Sequence, residues 1–304
     1  LPGRGEVDPC TVMSVFYYVL FGLMLSDAAY GLLMVIGCGF ALLKFKNMES
    51  GMRKTLQMFF YCGISTTFWG FMFGSFFGDL VGVVATTFFG RPDIALGPIW
   101  FEPVKEPMRM LVFSMLMGII HLFAGLAMKA YQYAKQKAWL DILYDVGFWY
   151  MLLAGLVVFA LSNQMFVGIL QLSFILPVLA GTIGIAVAGI GAVGILLTAG
   201  RESRSPFKRL LKGAYGLYGV TGYLSDILSY SRLLALGLAT GVIATVVNSM
   251  GSMLGGSIVG AIVFILVFFV GHTLNLAINL LGAYVHTNRL QFVEFFGKFY
   301  EGGG

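Results

Sequence analysis

Between Leu233 and Asn288 the chain runs fifty-six residues without an Asp, Glu, Lys or Arg, and an arginine stands at each border, Arg232 and Arg289. So long a neutral stretch suits hydrocarbon, where about twenty apolar residues span the core as one helix. Arg232 itself lies inside an apolar run, Ser229-Tyr230-Ser231-Arg232-Leu233-Leu234-Ala235-Leu236-Gly237. A cation there costs roughly 2.5–3.5 kcal/mol on insertion scales. Such a residue persists where it faces a partner, a polar cavity or an ion path.

Composition agrees. Of 304 residues, 59% are apolar and 11% charged, and the mean hydropathy is +0.88. That excludes an ordinary soluble domain. With 28 Phe, 16 Met and 41 Gly, the chain reads as a polytopic helical membrane protein. Its net charge of +5 does not signal nucleic acid, because the basic residues fall in short loops between apolar segments. Cys10, Cys38 and Cys62 are scattered, with neither a disulfide framework nor metal-ligand spacing. No metal and no cofactor are expected. A phosphate loop of the G-x-x-x-x-G-K-[ST] type and a G-x-S-x-G elbow are both missing, so a non-catalytic role is expected.

Seven apolar blocks stand out, at about 11–44, 55–89, 108–134, 142–161, 165–199, 214–249 and 257–288. Lys44, Lys46, Arg53 and Lys54 follow or open the first gap; Lys129, Lys135 and Lys137 mark another; Arg201, Arg204, Lys208, Arg209 and Lys212 a third. The gaps near 162–164 and 249–257 carry no charge. The basic loops are therefore expected to be cytoplasmic and the neutral ones external. Seven spans place the N-terminus outside. However, Ser26-Asp27-Ala28-Ala29-Tyr30-Gly31 interrupts the first block. A straight helix over that block would reach about 50 Å, against a core of roughly 30 Å. Splitting it gives eight spans and puts both termini inside. One long tilted helix is the alternative, and the residues alone leave both open.

The candidate polar residues form three groups. Asp27 and Asp79 sit in similar settings, Gly22-Leu-Met-Leu-Ser-Asp27 and Gly74-Ser-Phe-Phe-Gly-Asp79. An intramembrane Asp either lines an ion path or caps a helix. Tyr223, Ser225, Asp226 and Ser229 make the stretch before Arg232 polar, which favours an aqueous face. In the last block Asn275, Asn279 and His286 fall four and seven apart, on one helical face, with Arg289 three further on. Such a stripe either joins helices or lines a path, and the adjacent arginine favours the path. His272 and Asn288 add polarity to the same block, and His121 reads as a hydrogen-bonded packing residue.

Two segments carry a resemblance: Ser229-Tyr230-Ser231-Arg232-Leu233-Leu234-Ala235-Leu236 and Asn288-Arg289-Leu290-Gln291-Phe292-Val293-Glu294-Phe295-Phe296-Gly297-Lys298-Phe299-Tyr300. Together they resemble the membrane domain of the stator subunit of V-type and archaeal-type rotary ATPases, called a in vacuolar enzymes and I in prokaryotic ones. Asp8-Pro9, Leu25 to Gly31, Phe77-Gly78-Asp79 and Met117 to His121 fit the same family. The resemblance implies an all-α integral membrane fold of eight helices, at about 11–25, 28–45, 55–89, 108–134, 142–161, 165–199, 214–249 and 257–300. Residues 1–10 then form a linker from a missing N-terminal cytoplasmic domain, and 11–304 the transmembrane domain. The last two helices are implied to be long, tilted and packed against a rotating proteolipid ring. Peripheral stalk subunits are implied partners through the missing domain, and the central stalk and catalytic sectors indirect ones. Membrane lipid is the remaining partner. The implied location is a prokaryotic plasma membrane, crossed several times with both termini cytoplasmic. Where many relatives carry a Glu ten residues before the second arginine, this chain has Asn279; where some carry a His eight after the first, it has Thr240.

The implied function is a pair of ion half-channels with Arg232 and Arg289 as the gate facing the ring carboxylate, for protons or sodium. A nearby cation stabilises that carboxylate as an anion and so releases its ion. Asp27, Asp79, Asn279 and His286 are expected along the outer half-channel, and Tyr223, Ser225, Asp226 and Ser229 along the cytoplasmic one. The rival readings are a self-contained secondary transporter, with its ion site at broken helices, and a membrane anchor without transport. If the hairpin apex lies near Gly251, bringing both arginines to one depth requires an in-plane or sharply bent segment within Gly255–Gly271.

Overall fold

The computed structural model describes residues 10–45, 50–91, 94, 97–103, 105–135, 137, 139–163, 177–198 and 206–289. Among these, the regular elements are all helical. Five stretches are long and apolar enough to cross a membrane: Pro107–Lys135, Leu143–Ser162, Val178–Thr198, Pro206–Gly251 and Ile258–Arg289. Their outer faces carry large apolar side chains, such as Ile262, Leu266 and Phe269 on the last helix, each more than half exposed. Water would not tolerate that display, whereas lipid does. The chain is an integral membrane α-protein, divided into two compact units.

The first unit holds Thr11–Met110 and Arg232–Gln291. Its helices are α1 (Cys10–Leu25), α2 (Ala28–Lys44), α3 (Ser50–Phe73), α4 (Leu80–Phe88), α10 (Ser231–Gly251) and α11 (Ile258–Arg289). The first apolar block is thus two helices meeting at Ser26 and Asp27. Small residues let α2 and α3 approach closely. A Cβ on Gly70 would strike the backbone of Asp27 and Ala28, so glycine is required there.

The single helix expected over 55–89 is interrupted between Phe73 and Leu80. Gly74, Phe77 and Gly78 all take positive φ, at 73°, 48° and 70°. That conformation is costly for Phe77. It is held because the Asp27 carboxylate accepts from the N–H groups of Phe77 and Gly78, both at 2.9 Å.

The second unit holds Leu111–Ser231. It contains most of α5 (Pro107–Lys135), then α6 (Trp139–Ile142), a π-helical turn Leu143–Gly147, α7 (Phe148–Ser162), α8 (Val178–Thr198) and α9 (Pro206–Ser229). Helices α7 and α8 pack backbone to backbone: a Cβ on Gly155 or Gly191 would meet main-chain atoms of the partner helix. The expected 214–249 helix starts earlier, at Pro206, and is interrupted at Tyr230. Of the expected 165–199 helix, residues 165–176 and 199 lie outside the described residues, as do 290–300 of the last one.

Candidate functional site

The two similar aspartates do different work. Asp27 is fully buried and is the N-cap of α2, accepting from the N–H groups of Ala29 (3.1 Å) and Tyr30 (3.4 Å). It also accepts from Phe77 N, Gly78 N and the Ser75 hydroxyl, the last at 2.9 Å. Five donors thus converge on one carboxylate. Asp79 precedes α4 but makes no side-chain cap bond. It is exposed, and it lines a cavity of about 560 Å³.

That cavity follows one face of α10. Gly237, Gly241 and Thr245 line it at intervals of four, and Ser252 lines it just past the helix end. Small side chains in that row hollow the helix face. The lining extends over fifteen residues, or about 22 Å at 1.5 Å per residue. The opposite wall comes from the 74–79 turn and α4, with the hydroxyls of Ser75, Thr86 and Thr87. Glu102 and Lys105 also line the cavity and pair with each other at 3.3 Å. The inner end, at Gly237, stands five residues from Arg232.

A row of hydrogen-bonded side chains leads away from Asp79. Asn248 Nδ2 donates to Asp79 Oδ1 (3.1 Å) and to the Phe77 carbonyl (2.6 Å). The carbonyl fixes the amide orientation, because only the NH₂ end can face it. Asn248 Oδ1 therefore accepts from His272 Nε2, at 2.8 Å. His272 Nδ1 is then an acceptor, and the Tyr30 hydroxyl donates to it across 2.7 Å. The Tyr30 oxygen accepts from Asn275 Nδ2 (2.7 Å), which also donates to the Thr240 carbonyl (3.2 Å). Asn275 Oδ1 accepts from Asn279 Nδ2. Every donor in the row points toward Asp79. His272, Asn275 and Asn279 are buried on one face of α11, as their spacing implies.

The α10–α11 hairpin brings the charged residues together. A Cβ on Gly271 would meet Val247, and one on Gly282 would approach Leu236. Continuing that register sets Arg232 against His286. Both Arg232 and Arg289 lie within electrostatic reach of the His286 ring. Arg232 is half-buried and Arg289 exposed. The break expected somewhere within Gly255–Gly271 is confined to the turn before Ile258, after which α11 is unbroken to Arg289. Gly255, at φ 76°, shapes that turn. Gly251 packs against Phe264 rather than against the start of α11. The turn therefore climbs past the end of α10, and the first turns of α11 run back, which absorbs the extra length.

In the second unit, Tyr223 and Asp226 sit one turn apart on α9, both half-buried, while Ser225 is exposed. The Tyr223 ring lies against Trp149, with centroids 4.8 Å apart. The Ser229 hydroxyl donates to the Asp226 carbonyl at 2.6 Å. His121 Nδ1 bonds the Tyr230 hydroxyl, as its packing reading expects. Sequence reasoning missed Tyr30 and Asn248 as members of the row. Their one signal was polarity inside otherwise apolar runs.

Residues 219–304 match the model of the V-type ATPase 116kDa subunit family. Over the whole chain there is similarity to A-type ATP synthase subunit I of Methanocaldococcus jannaschii, at 35% identity, and of Pyrococcus horikoshii, at 30%. V-type ATP synthase subunit I of Chlamydia trachomatis is 25% identical, again over the full chain.

The chain matches subunit I from end to end.

It spans 45%, 43% and 51% of the length of these three relatives. The subunit I resemblance read from the two arginine motifs is borne out, and both arginines fall within the family match. So do Asn248, His272, Asn275 and Asn279, which form most of the polar row.

Proposed function

We propose that this chain is the membrane part of a rotary ATPase stator, crossing the bilayer eight times with both ends cytoplasmic, in a prokaryotic plasma membrane. The cavity beside α10 is its outer half-channel, with Asp79 collecting cations from the external side. Asn279 and His286 stand further along that route, and Asp27 holds the wall by fixing the 74–79 turn. Tyr223, Ser225, Asp226 and Ser229 line the cytoplasmic half-channel. Arg232, with Arg289 as second charge, faces the carboxylate of a proteolipid ring and blocks direct leak between the two routes. An arginine near the carboxylate favours its anion, and hydrocarbon favours its neutral form. Rotation therefore alternates release and reloading. The chain itself is non-catalytic; ATP chemistry belongs to other subunits, reached through peripheral and central stalks.

One observation carries this reading. A cavity with Asp79, Glu102, Lys105 and several hydroxyls in its lining follows α10 from Ser252 to Gly237, within about 8 Å of the level of Arg232 at 1.5 Å per residue. Arg232→Ala in the assembled complex tests it. The expected result is lost ATP-driven ion pumping with assembly intact, and normal pumping would sink the gate. Ion transport by the purified chain alone in liposomes would instead favour a self-contained transporter.

A further inference from the structure

The mechanism above gives no role to the imidazole in the row from Asn279 to Asp79. His272 is 3% exposed and sits in the middle of the row, with both ring nitrogens engaged. The row ties four pieces of backbone together: α2 through Tyr30, the 74–79 turn through Phe77 and Asp79, α10 through Asn248 and Thr240, and α11 through His272, Asn275 and Asn279. Both arginine-bearing helices are therefore held by it. Its three amides have their orientation fixed by backbone carbonyls, so the row has one direction only. That direction depends on His272 Nδ1 being bare, because the Tyr30 hydroxyl hydrogen points at it.

We propose that His272 is a positioning residue for ion translocation: its neutral ring closes the row that holds the arginine hairpin to α2, and a proton on Nδ1 opens it. This rests on the stator reading above. The chemistry is a simple addition. A hydronium ion gives up one O–H proton to the Nδ1 lone pair and is left as water. Nδ1–H then donates to the Tyr30 oxygen, which already accepts from Asn275. The Tyr30 hydroxyl hydrogen loses its acceptor and must turn out of the row. Asp79, which lines the cavity, is joined to the ring through Asn248.

The groups facing His272 are few. Asp79 acts on the ring across Asn248, from the 74–79 turn. Tyr30 comes from α2, with Asp27 behind it acting on the phenol. The remaining neighbours are the rings of Phe77 and Phe268, with centroids 5.0 and 4.7 Å away.

The test uses the whole ATPase complex in liposomes. ATP-driven ion flux, followed as protons or as radioactive sodium, is measured from about pH 8 to about pH 4, a range that reaches below the ordinary imidazole value. His272→Gln keeps a donor and an acceptor but takes up no proton. Its rate, divided by the wild-type rate, is expected to rise by at least about threefold from the alkaline to the acid end. Tyr30→Phe opens the row at every pH, so its rate is expected to be low throughout. A flat Gln-to-wild-type ratio overturns the proposal. Should His272→Gln and His272→Asn both fail to assemble, hydrogen–deuterium exchange in wild-type complex decides. Backbone exchange in 240–279 must increase toward acid pH, and an unchanged pattern overturns the proposal. Arg232→Ala, run alongside, reports separately on the gate: normal pumping by it sinks the stator reading, whatever His272 does.

Discussion

The Tyr30 hydroxyl lies 2.7 Å from Nδ1 of His272, a residue 242 positions later in the chain. This bond joins α2, in the first apolar block, to α11, in the last. It also shows why the hairpin carrying the arginines does not stand alone. Asn248 and Asn275 extend the same connection to the 74–79 turn and to the Thr240 carbonyl.

Replacing Arg232 by lysine is expected to fail, though the charge is kept. Arg232 is half-buried on α10, and a compact ammonium cannot reproduce the planar guanidinium fork. Pumping should fall at least about tenfold in reconstituted complex. A near-normal rate would reduce Arg232 to a generic positive charge.

Gly237 lines the cavity, and a Cβ built there would lie 3.5–3.6 Å from Leu23, Ser26 and Met110. Those are ordinary contacts. Gly237→Cys, in a background lacking Cys10, Cys38 and Cys62, is therefore expected to assemble and pump. A small water-soluble thiol reagent applied from the external side should then block pumping. Pumping that persists after complete modification would show that ions do not pass Gly237.

Asp27→Asn keeps the shape but turns an amide NH₂ toward donors that need an acceptor. With several of five hydrogen bonds lost in a buried site, the variant should be less stable by roughly 2–4 kcal/mol. The thermal unfolding midpoint of the purified protein in detergent measures this. An unchanged midpoint would mean that Asp27 does not anchor the 74–79 turn.

Topology gives the fourth expectation. Cysteines placed at 46, 137 and 204 should resist an impermeant external reagent, and cysteines at 163 and 255 should react. Labelling from outside at 46 or 204 would refute the orientation.

Much of the helical framework is visible in the apolar periodicity, and the interruption at Ser26-Asp27 shows as polar residues inside an apolar block. The interruption at 74–79 does not show. Gly74-Ser-Phe-Phe-Gly78 is mostly apolar, and a positive φ at Phe77 is stable only because a carboxylate fifty positions earlier captures its N–H. Position along the chain could not reveal that. The α11 stripe of Asn275 and Asn279 follows from helical spacing. Tyr30 and Asn248 do not, because what defines them is a partner on another helix. The break expected within Gly255–Gly271 is confined to the turn before Ile258 for a related reason. Counting residues puts the hairpin apex near Gly251, whereas packing pairs Gly251 with Phe264.

The row beside α10 is built from neutral amides, a phenol and an imidazole, and its only formal charge is at its end, on Asp79. An electric field exerts force on charge, at about 2.3 kcal/mol per elementary charge for each 100 mV across the bilayer. When the membrane is energised, that force falls on Asp79, on the arginines and on the moving ion. The brace between them feels almost none of it. In the proposed stator, while His272 is neutral, the alignment of the arginine hairpin is thereby insulated from the voltage across the membrane.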